Sequence, residues 1–212
     1  MNIQQLIDAF FAQKGTSIQI YNEISLQIEL GIFLRKQGFT VRFERPVQRY
    51  TDVSHSFIKK EIDIVFFKGM NEFDKYESNK NNEDDYGKYA IELKFPRSGQ
   101  YPEQMFQFIK DIQFMEEVKY KCSFTDTYVL TLVDDDLFYT PTTNQKGIYD
   151  YFRGPKQCIP AHTNIQQPTG GKSNILRLRN CYQVKWNTLK NPLLIPYNAS
   201  GQTPKYYLLQ IV

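Results

Sequence analysis

Hydrophobic and polar positions follow two different periods along the first two thirds of the chain. Three segments have the period of an amphipathic helix: residues 2–13, a stretch that begins at about Ser17 or Tyr21 and ends at Lys36, and residues 103–118. Three others alternate as strands do: residues 39–50, in which Pro46 marks an interruption or a sheet edge, 58–68 and 89–95. The continuous apolar run 127–133 predicts a buried strand. The predicted order is therefore α, α, β, β, β, α, β.

The predicted helix 103–118 separates the third and fourth strands, which implies a parallel crossover and a sheet covered on both faces. Beyond Asp136 the pattern is weaker. It predicts a short strand at 137–140, a short helix at 147–152, a loop over 154–173, and strands over 175–186 and 206–212. We expect an α/β fold in a single domain over residues 1–212, with a core at about 17–140 and a C-terminal extension at about 141–212 that contains further strands.

The composition is typical of a folded protein from a reducing compartment. Hydrophobic residues make up 41% and charged residues 23% of the chain, which argues against global disorder. The three cysteines, Cys122, Cys158 and Cys181, are odd in number and far apart, so no disulfide framework is expected. Neither a signal-peptide pattern nor an apolar run long enough to cross a bilayer is present. We expect a soluble, cytoplasmic protein without a membrane partner.

The charges are unevenly distributed along the chain. The net charge is +3, but residues 71–88 hold six acidic and three basic residues, which leaves 23 basic and 17 acidic residues elsewhere, a net charge of +6. That polar stretch lacks periodicity and is predicted to be a loop. A basic body with an acidic loop is compatible with a nucleic-acid partner but does not require one. A further candidate surface, equally well explained as a solvated strand face, alternates basic and aromatic residues: Arg177, Arg179, Tyr182, Lys185 and Trp186.

Two of the predicted strands carry acidic residues where apolar residues are expected. Asp63 interrupts the apolar run 62–67, and Glu92 interrupts the run 89–95, with Lys94 two residues further on. Because side chains alternate between the faces of a strand, Glu92 and Lys94 point to the same face, about 7 Å apart along the strand. Such charges are costly on a buried strand unless they are paired or bind a metal. The alternative is that they form ordinary ion pairs on a solvated sheet face.

Metal-assisted hydrolysis of a phosphodiester is the chemistry that suits these residues. Carboxylates such as those of Asp63 and Glu92 bind hard divalent cations, here Mg²⁺ with Mn²⁺ as a substitute, and the backbone carbonyl of Leu93 is a further candidate ligand. The cation neutralises phosphate charge and lowers the pKa of a bound water. Lys94 beside it is suited to position that water or to stabilise the charge that develops.

The pattern Asp63…Glu92-x-Lys94, on adjacent strands that follow a glutamate-bearing helix, resembles the PD-(D/E)XK nuclease superfamily. The resemblance covers roughly residues 21–133 and implies a restriction-endonuclease-like core, a central mixed sheet flanked by helices in the order α, β, β, β, α, β. Ile62 stands where the family's name-giving proline would be, and the predicted loop at 71–88 accounts for the long spacing between the two acidic residues. A D…ExK string alone occurs by chance in many chains, so the resemblance depends on the strand context and the order of elements.

The resemblance further implies a glutamate from the first core helix and a polar residue from the helix after the ExK strand. Glu23 and Glu29 are the candidates on the first helix. At 100° per residue Glu23 falls nearer the apolar stripe, so the geometry of the helix favours Glu23. Gln104 or Gln107 is the candidate on the second helix for contacting a phosphate or a water. Gln104 is nearer the helix start, where N–H groups favour anions.

These features predict a Mg²⁺-dependent nuclease, with DNA favoured over RNA as the substrate and a restriction or defence role as its setting. Asp63 and Glu92 would bind the metal, Lys94 would act on the attacking water, and Glu23 or Glu29 would assist. Two alternatives stay open: a non-catalytic nucleic-acid-binding or assembly subunit that retains the fold, and an unrelated α/β protein whose charges are incidental. The sequence does not distinguish a monomer from a homodimer.

Overall fold

The computed structural model is an α/β fold with a central mixed sheet flanked by helices. It describes residues 2–14, 18–51, 56–68, 87–97, 99–143, 146–170, 173–196 and 201–212. The loop predicted at 71–88 falls, up to residue 86, outside the described residues.

The predicted helices are confirmed, with boundaries that shift by a few residues. In chain order they are α1 (Ile3–Phe11), α2 (Glu23–Lys36), α3 (Tyr101–Lys121) and α4 (Ile148–Phe152). Helix α2 begins at Glu23 because Asn22 and Ser25 form a capping box. The Asn22 side chain accepts a hydrogen bond from the Ser25 N–H at 2.8 Å, and Ser25 Oγ accepts one from the Asn22 N–H at 3.0 Å. This cap fixes the orientation of the first turn, in which Glu23 lies.

The central sheet has the strand order β1-β2-β3-β4-β10-β9. The strands of the described residues, in chain order, are β1 (Phe39–Pro46), β2 (Glu61–Lys68), β3 (Lys88–Lys94), β4 (Asp126–Val133), β5 (Cys158–Ile159), β6 (Ile165–Gln166), β7 (Ile175–Leu176), β8 (Tyr182–Gln183), β9 (Asn187–Thr188) and β10 (Lys205–Ile211). Strands β3 and β4 are parallel, and the other pairs in the sheet are antiparallel. The predicted parallel crossover through the helix after β3 is therefore confirmed. Strand β1 lies at the sheet edge and ends at Pro46, and the rest of the predicted strand 39–50 forms a 3₁₀ helix at Val47–Tyr50 instead.

The strand predicted over 206–212 is confirmed as β10, which pairs with β4, so the described end of the chain completes the central sheet.

The region between Asp136 and β10 differs from the sequence prediction. Residues 137–140, predicted to be a strand, overlap a 3₁₀ helix at Asp136–Phe138, which begins where the Asp135 side chain accepts a hydrogen bond from the Leu137 N–H, a local bond that periodicity does not detect. Residues 175–186 form only the two-residue strands β7 and β8, and the predicted loop 154–173 contains β5 and β6.

Both faces of the central sheet are covered, as predicted. Ile64, Phe66, Ile91 and Leu93 pack with α1 and α2 on one face. The residues that alternate with them, such as Val65 and Ala90, pack with α3 and the C-terminal region on the other. By the same alternation Glu92 points toward α3, where Asp111 lies. At Asp63 the alternation breaks, since Ile62 packs with Val65 rather than with Ile64.

A buried carboxylate attaches the C-terminal region to α3. The Glu116 side chain is 1% exposed and accepts hydrogen bonds from the backbone N–H groups of Arg179 and Asn180, at 2.9 and 3.0 Å, and from the Tyr182 hydroxyl at 2.9 Å. Tyr182 is buried, and the partly buried Trp186 packs edge-on against Tyr207 at 4.9 Å. Arg177, Arg179 and Lys185 are exposed, so a nucleic-acid surface on this segment stays a prediction that its basic residues would carry.

We expect Glu116→Gln to destabilise the protein by about 2–3 kcal/mol, since an amide would leave buried N–H donors without a charged acceptor. Urea unfolding followed by tryptophan fluorescence measures the change, because Trp186 lies in the attached region. Glu29→Gln, on the partly exposed surface of α2, is the control. A loss of less than about 0.5 kcal/mol in Glu116→Gln, the range of ordinary surface substitutions, would contradict this role.

Candidate metal centre

Asp63 and Glu92 lie opposite each other across β2 and β3. The antiparallel ladder pairs Ile64 with Ile91, and the same register continued by one residue pairs Asp63 with Glu92. The ladder itself stops at Ile64–Ile91. In place of a regular backbone pair, Asp63 Oδ2 accepts a hydrogen bond from the Leu93 N–H at 2.7 Å. The two carboxylates therefore meet where the strands begin to separate.

The other side of Asp63 is also released from regular pairing. The β1–β2 register omits the pair Glu44–Asp63, and Glu44 has a left-handed φ of 48°. Gln27 of α2 takes up the freed groups, since its Nε2 donates to the Asp63 carbonyl at 2.8 Å and to Glu44 Oε1 at 2.6 Å. Gln27 thus holds the backbone of Asp63 in place from the opposite face of the sheet.

Burial dominates the electrostatics of Asp63. It raises the pKa of this carboxyl to about 7, against the smaller lowering effects of the Leu93 N–H and the Lys59 ammonium. Glu23 and Glu44 are nearby negative charges and raise the pKa further. An acid held at such a pKa takes up a proton near neutral pH unless a cation comes close.

Glu92 is completely buried and is bound by a residue that the sequence analysis did not single out. Its Oε1 forms an ion pair with Lys59 Nζ, and the same ammonium donates to Asp111 Oδ1 at 3.0 Å. Asp111 is on α3, the helix that covers this face, and is 2% exposed. Lys59, just before β2, therefore bridges two buried carboxylates from different elements.

One oxygen of each of these carboxylates lacks a partner. Glu92 Oε2 and Asp111 Oδ2 are both buried, and neither accepts a hydrogen bond from any described residue. Burial, and then the repulsion of neighbouring carboxylates, raises the pKa of Glu92 well above its usual range, and burial likewise raises the pKa of Asp111. When all three are ionised, Asp63, Glu92 and Asp111 carry more negative charge than Lys59 alone neutralises.

Lys94 and Glu23 form a second pair at the end of β3. Lys94 Nζ lies 3.2 Å from Glu23 Oε2, and the same oxygen accepts a hydrogen bond from the Phe95 N–H at 3.0 Å. Burial lowers the pKa of Lys94, but the carboxylates of Asp111 and Glu23 outweigh it, so the pKa is raised. Lys94 is therefore held as an ammonium, a donor and a positive charge rather than a base.

The structure separates the two glutamates between which the sequence left a choice. Glu23 contacts the strand that carries Glu92, whereas Glu29 lines a surface cavity of about 260 Å³ together with Gln19 and Ile28. Six residues of helix turn Glu29 by roughly 120° from Glu23 and carry it about 9 Å along the axis. Glu29 is thus not brought to the cluster, and of the two candidates Glu23 is the one that reaches the end of β3.

Gln104 and Gln107 lie on the face of α3 that carries Asp111. Seven residues, nearly two helical turns, separate Gln104 from Asp111, which places it about 10 Å nearer the helix start. In the part of the chain that the structure describes, the Gln104 N–H donates to the Gln100 carbonyl at 3.0 Å, a bond within the first turn that does not involve the carboxylates. Leu93 contacts the cluster through its N–H to Asp63; its role as a carbonyl ligand stays a prediction.

Sequence reasoning missed Lys59, Asp111 and Gln27. Asp111 had a detectable signal, because it falls within the apolar stripe of α3, between Phe108 and Ile112, as Glu92 does within its strand. Lys59 had none, since the neighbouring Lys60 is chemically identical and only the fold separates a cluster-facing lysine from an exposed one. Gln27 acts on a backbone carbonyl 36 residues away, which only the tertiary structure reveals.

The cluster as it stands is not arranged around a metal ion. Within the described ranges, no group of three Asp, Glu, His or Cys residues has the spacing that a metal ion needs. The Lys59 ammonium instead occupies the space between Glu92 and Asp111. The donor set still suits a hard divalent cation, because it consists of carboxylate oxygens of which two are buried and unpartnered.

Comparisons with known proteins give no relative for this chain: no family model, no curated protein and no solved structure matches it. None of the helices in the described residues is long and apolar enough to span a membrane.

We expect the metal-free protein to lose stability as the pH rises from about 4 to about 7, because Asp63 stays protonated in the folded state while it ionises in the unfolded chain. The stability that protonated Asp63 contributes is fully present below the pKa that this carboxyl has in the unfolded chain. It is lost as the pH rises through the pKa that the carboxyl has in the folded protein. Asp63→Asn lacks this titration. The free energy of unfolding of the variant, relative to that of the wild type, should therefore increase by about 1–3 kcal/mol between pH 4 and pH 8.

Urea unfolding in EDTA at several pH values tests this expectation. In Asp63→Asn the amide oxygen that replaces the carboxylate can still accept from the Leu93 N–H, so the difference isolates the titration. A stability difference between the two proteins that does not change with pH would show that Asp63 titrates normally.

Proposed function

We propose that this protein is a Mg²⁺-dependent nuclease of the PD-(D/E)XK type that hydrolyses phosphodiester bonds, with DNA as the preferred substrate. The observation that carries the proposal is the buried Glu92, which has the carboxylates of Asp63 and Asp111 as neighbours, with one unpartnered buried oxygen on each of Glu92 and Asp111. A purely structural cluster would be expected to satisfy these oxygens, because a buried acceptor without a partner costs about 1–3 kcal/mol.

The order and pairing of elements support the same proposal. Helix α2 is followed by the antiparallel strands β1, β2 and β3, then by the crossover helix α3 and the parallel strand β4. This is the order α, β, β, β, α, β that the resemblance implies. Asp63 lies near the start of β2 and Glu92 and Lys94 lie near the end of β3, so the acidic pair sits at one end of the sheet.

Each residue of the cluster then has a definite task. Asp63, Glu92 and Asp111 would hold the cation with carboxylate oxygens. When bound, the cation supplies charge neutralisation at the phosphate and acidification of a coordinated water. Lys94, held as an ammonium by Glu23, donates hydrogen bonds to the attacking water or to the phosphate oxygens. Gln27 keeps the Asp63 backbone in place where the ladder opens.

A non-catalytic nucleic-acid-binding subunit is the second candidate, and one observation favours it. Lys59 partly neutralises Glu92 and Asp111, as an internal ion pair does in a site that no longer binds metal. The two candidates differ in one measurable respect, since only the nuclease requires a divalent cation and Lys94.

We expect the purified protein to cleave DNA in Mg²⁺ or Mn²⁺ and not in EDTA. Lys94→Met and Asp63→Asn should each lower the rate by about 10²- to 10⁴-fold, because each removes charge stabilisation or a ligand that acts on the reacting phosphate. Supercoiled plasmid, linear duplex and single-stranded RNA, compared in parallel, separate endonuclease from exonuclease activity and DNA from RNA.

Glu29→Gln is the matched control, since it neutralises a glutamate on α2 away from the cluster and should leave the rate unchanged. Cleavage that survives in both Lys94→Met and Asp63→Asn would contradict the proposal. DNA binding without cleavage, and without any response to divalent cations, would favour the non-catalytic subunit.

A further inference from the structure

The position of Lys59 is unusual for a lysine. Its Nζ contacts Glu92 Oε1 and lies 3.0 Å from Asp111 Oδ1, so one ammonium bridges carboxylates from β3 and α3. These carboxylates are 0% and 2% exposed. The side chain of Lys59 is 30% exposed, so its stem runs between the cluster and solvent. The ammonium is thus a monovalent cation in a pocket of anionic oxygens.

The charge balance of the cluster is incomplete with Lys59 in place. The carboxylates of Asp63 and Asp111 both repel that of Glu92, and Lys59 supplies the only ammonium bonded to Glu92 or Asp111 among the described residues. One further oxygen on each of Glu92 and Asp111 has no partner. A divalent cation would provide a higher charge and about six coordination positions, whereas an ammonium has one positive charge and about three N–H donors.

The backbone around Lys59 is attached on several sides. The Ile58 N–H donates to Glu117 Oε2 at 2.8 Å, the Lys60 carbonyl accepts from the Val47 N–H at 3.0 Å, and the Ser56 carbonyl accepts from Lys121 Nζ at 2.8 Å. The chain at 56–60 is therefore fixed to α3 and to the end of β1. The ammonium can leave the cluster only by rotation of its own four-carbon side chain.

We propose that Lys59 is the resident counter-ion of the metal centre: its ammonium occupies the cation position in the metal-free protein and swings out when a divalent cation binds. This inference rests on the proposed function, and it adds a regulatory element to the same site. The protein stays folded without metal because Lys59 neutralises part of the buried charge. Metal binding must displace the ammonium. The apparent affinity for the metal is therefore the intrinsic affinity multiplied by the fraction of molecules in which the cation position is open.

Substitution of a metal ligand, or of a residue that supports one, weakens metal binding. Substitution of Lys59 should have the opposite effect. Removing the Lys59 charge should strengthen the binding of a divalent cation and weaken the metal-free fold. Lys60 is a matched control, because it is the adjacent lysine, carries the same charge and is exposed to solvent.

The test is calorimetric titration of Mn²⁺ into the full chain after EDTA treatment, with melting temperatures measured in parallel. We expect Lys59→Met to bind Mn²⁺ about tenfold or more tightly than the wild type, as the open fraction approaches one. Its melting temperature without metal should fall and should rise more steeply with Mn²⁺. Lys60→Met should match the wild type in both measurements.

A second variant covers the case in which Lys59→Met does not fold without metal. Lys59→Gln removes the charge but can still donate a hydrogen bond to Glu92, and it should also bind Mn²⁺ more tightly than the wild type. Folding of Lys59→Met that is restored by Mn²⁺, and not by NaCl of equal ionic strength, would likewise support the proposal.

Two results would overturn the proposal, and they have different meanings. Equal or weaker Mn²⁺ binding in both Lys59 variants, with measurable binding in the wild type, would refute the counter-ion role and leave the proposed nuclease intact. No Mn²⁺ binding by the wild type or by either variant at millimolar concentrations would refute both, since the cluster would then be an ordinary internal ion-pair network.

Discussion

The structure depends on the buried carboxyl group of Glu92, near the end of the interior strand β3. A carboxylate with no solvent contact costs several kcal/mol unless cations or donors surround it. Two neighbouring elements bring charged groups to Glu92. The segment before β2 brings the Lys59 ammonium, which pairs with Glu92, and α3 brings the Asp111 carboxylate, which needs a cation as well. The β2–β3 ladder stops before Asp63, whose side chain instead accepts a hydrogen bond from the Leu93 N–H. The burial of Glu92 therefore determines which charged groups lie around it on this face of the sheet.

The sequence predicted much of the core because two periodicities are strong there. Alternation along β2 and β3 identified Asp63 and Glu92 as charges on apolar strands, and the helical angle of Glu23 favoured it over Glu29. These arguments need only local geometry. Lys59 and Gln27 could not be predicted, because their partners are tens of residues away and a chemically identical lysine stands beside the first. Strands β5 to β9 have only 2 residues each, which is too short for a period to develop, whereas the 7-residue β10 was predicted.

The fold positions the cluster through features that are each unfavourable on their own. Glu44 has a left-handed backbone, Asp63 leaves both of its ladders, and two buried carboxylate oxygens, on Glu92 and Asp111, lack hydrogen-bond partners among the described residues. Local irregularities of this kind persist where the surrounding structure enforces them, and they concentrate at sites of function. Gln27 and Glu23 reach the cluster from the opposite face of the sheet, so α2 and α3 hold it between them. The nuclease proposal and the counter-ion proposal both follow from this arrangement.

The most direct measurement is anomalous X-ray diffraction from crystals of the wild-type protein grown or soaked in Mn²⁺. We expect an anomalous peak among the carboxylates of Asp63, Glu92 and Asp111, with the Lys59 ammonium displaced toward solvent. A cluster without a peak at saturating Mn²⁺, with Lys59 still bridging Glu92 and Asp111, would contradict the assignment of a metal centre.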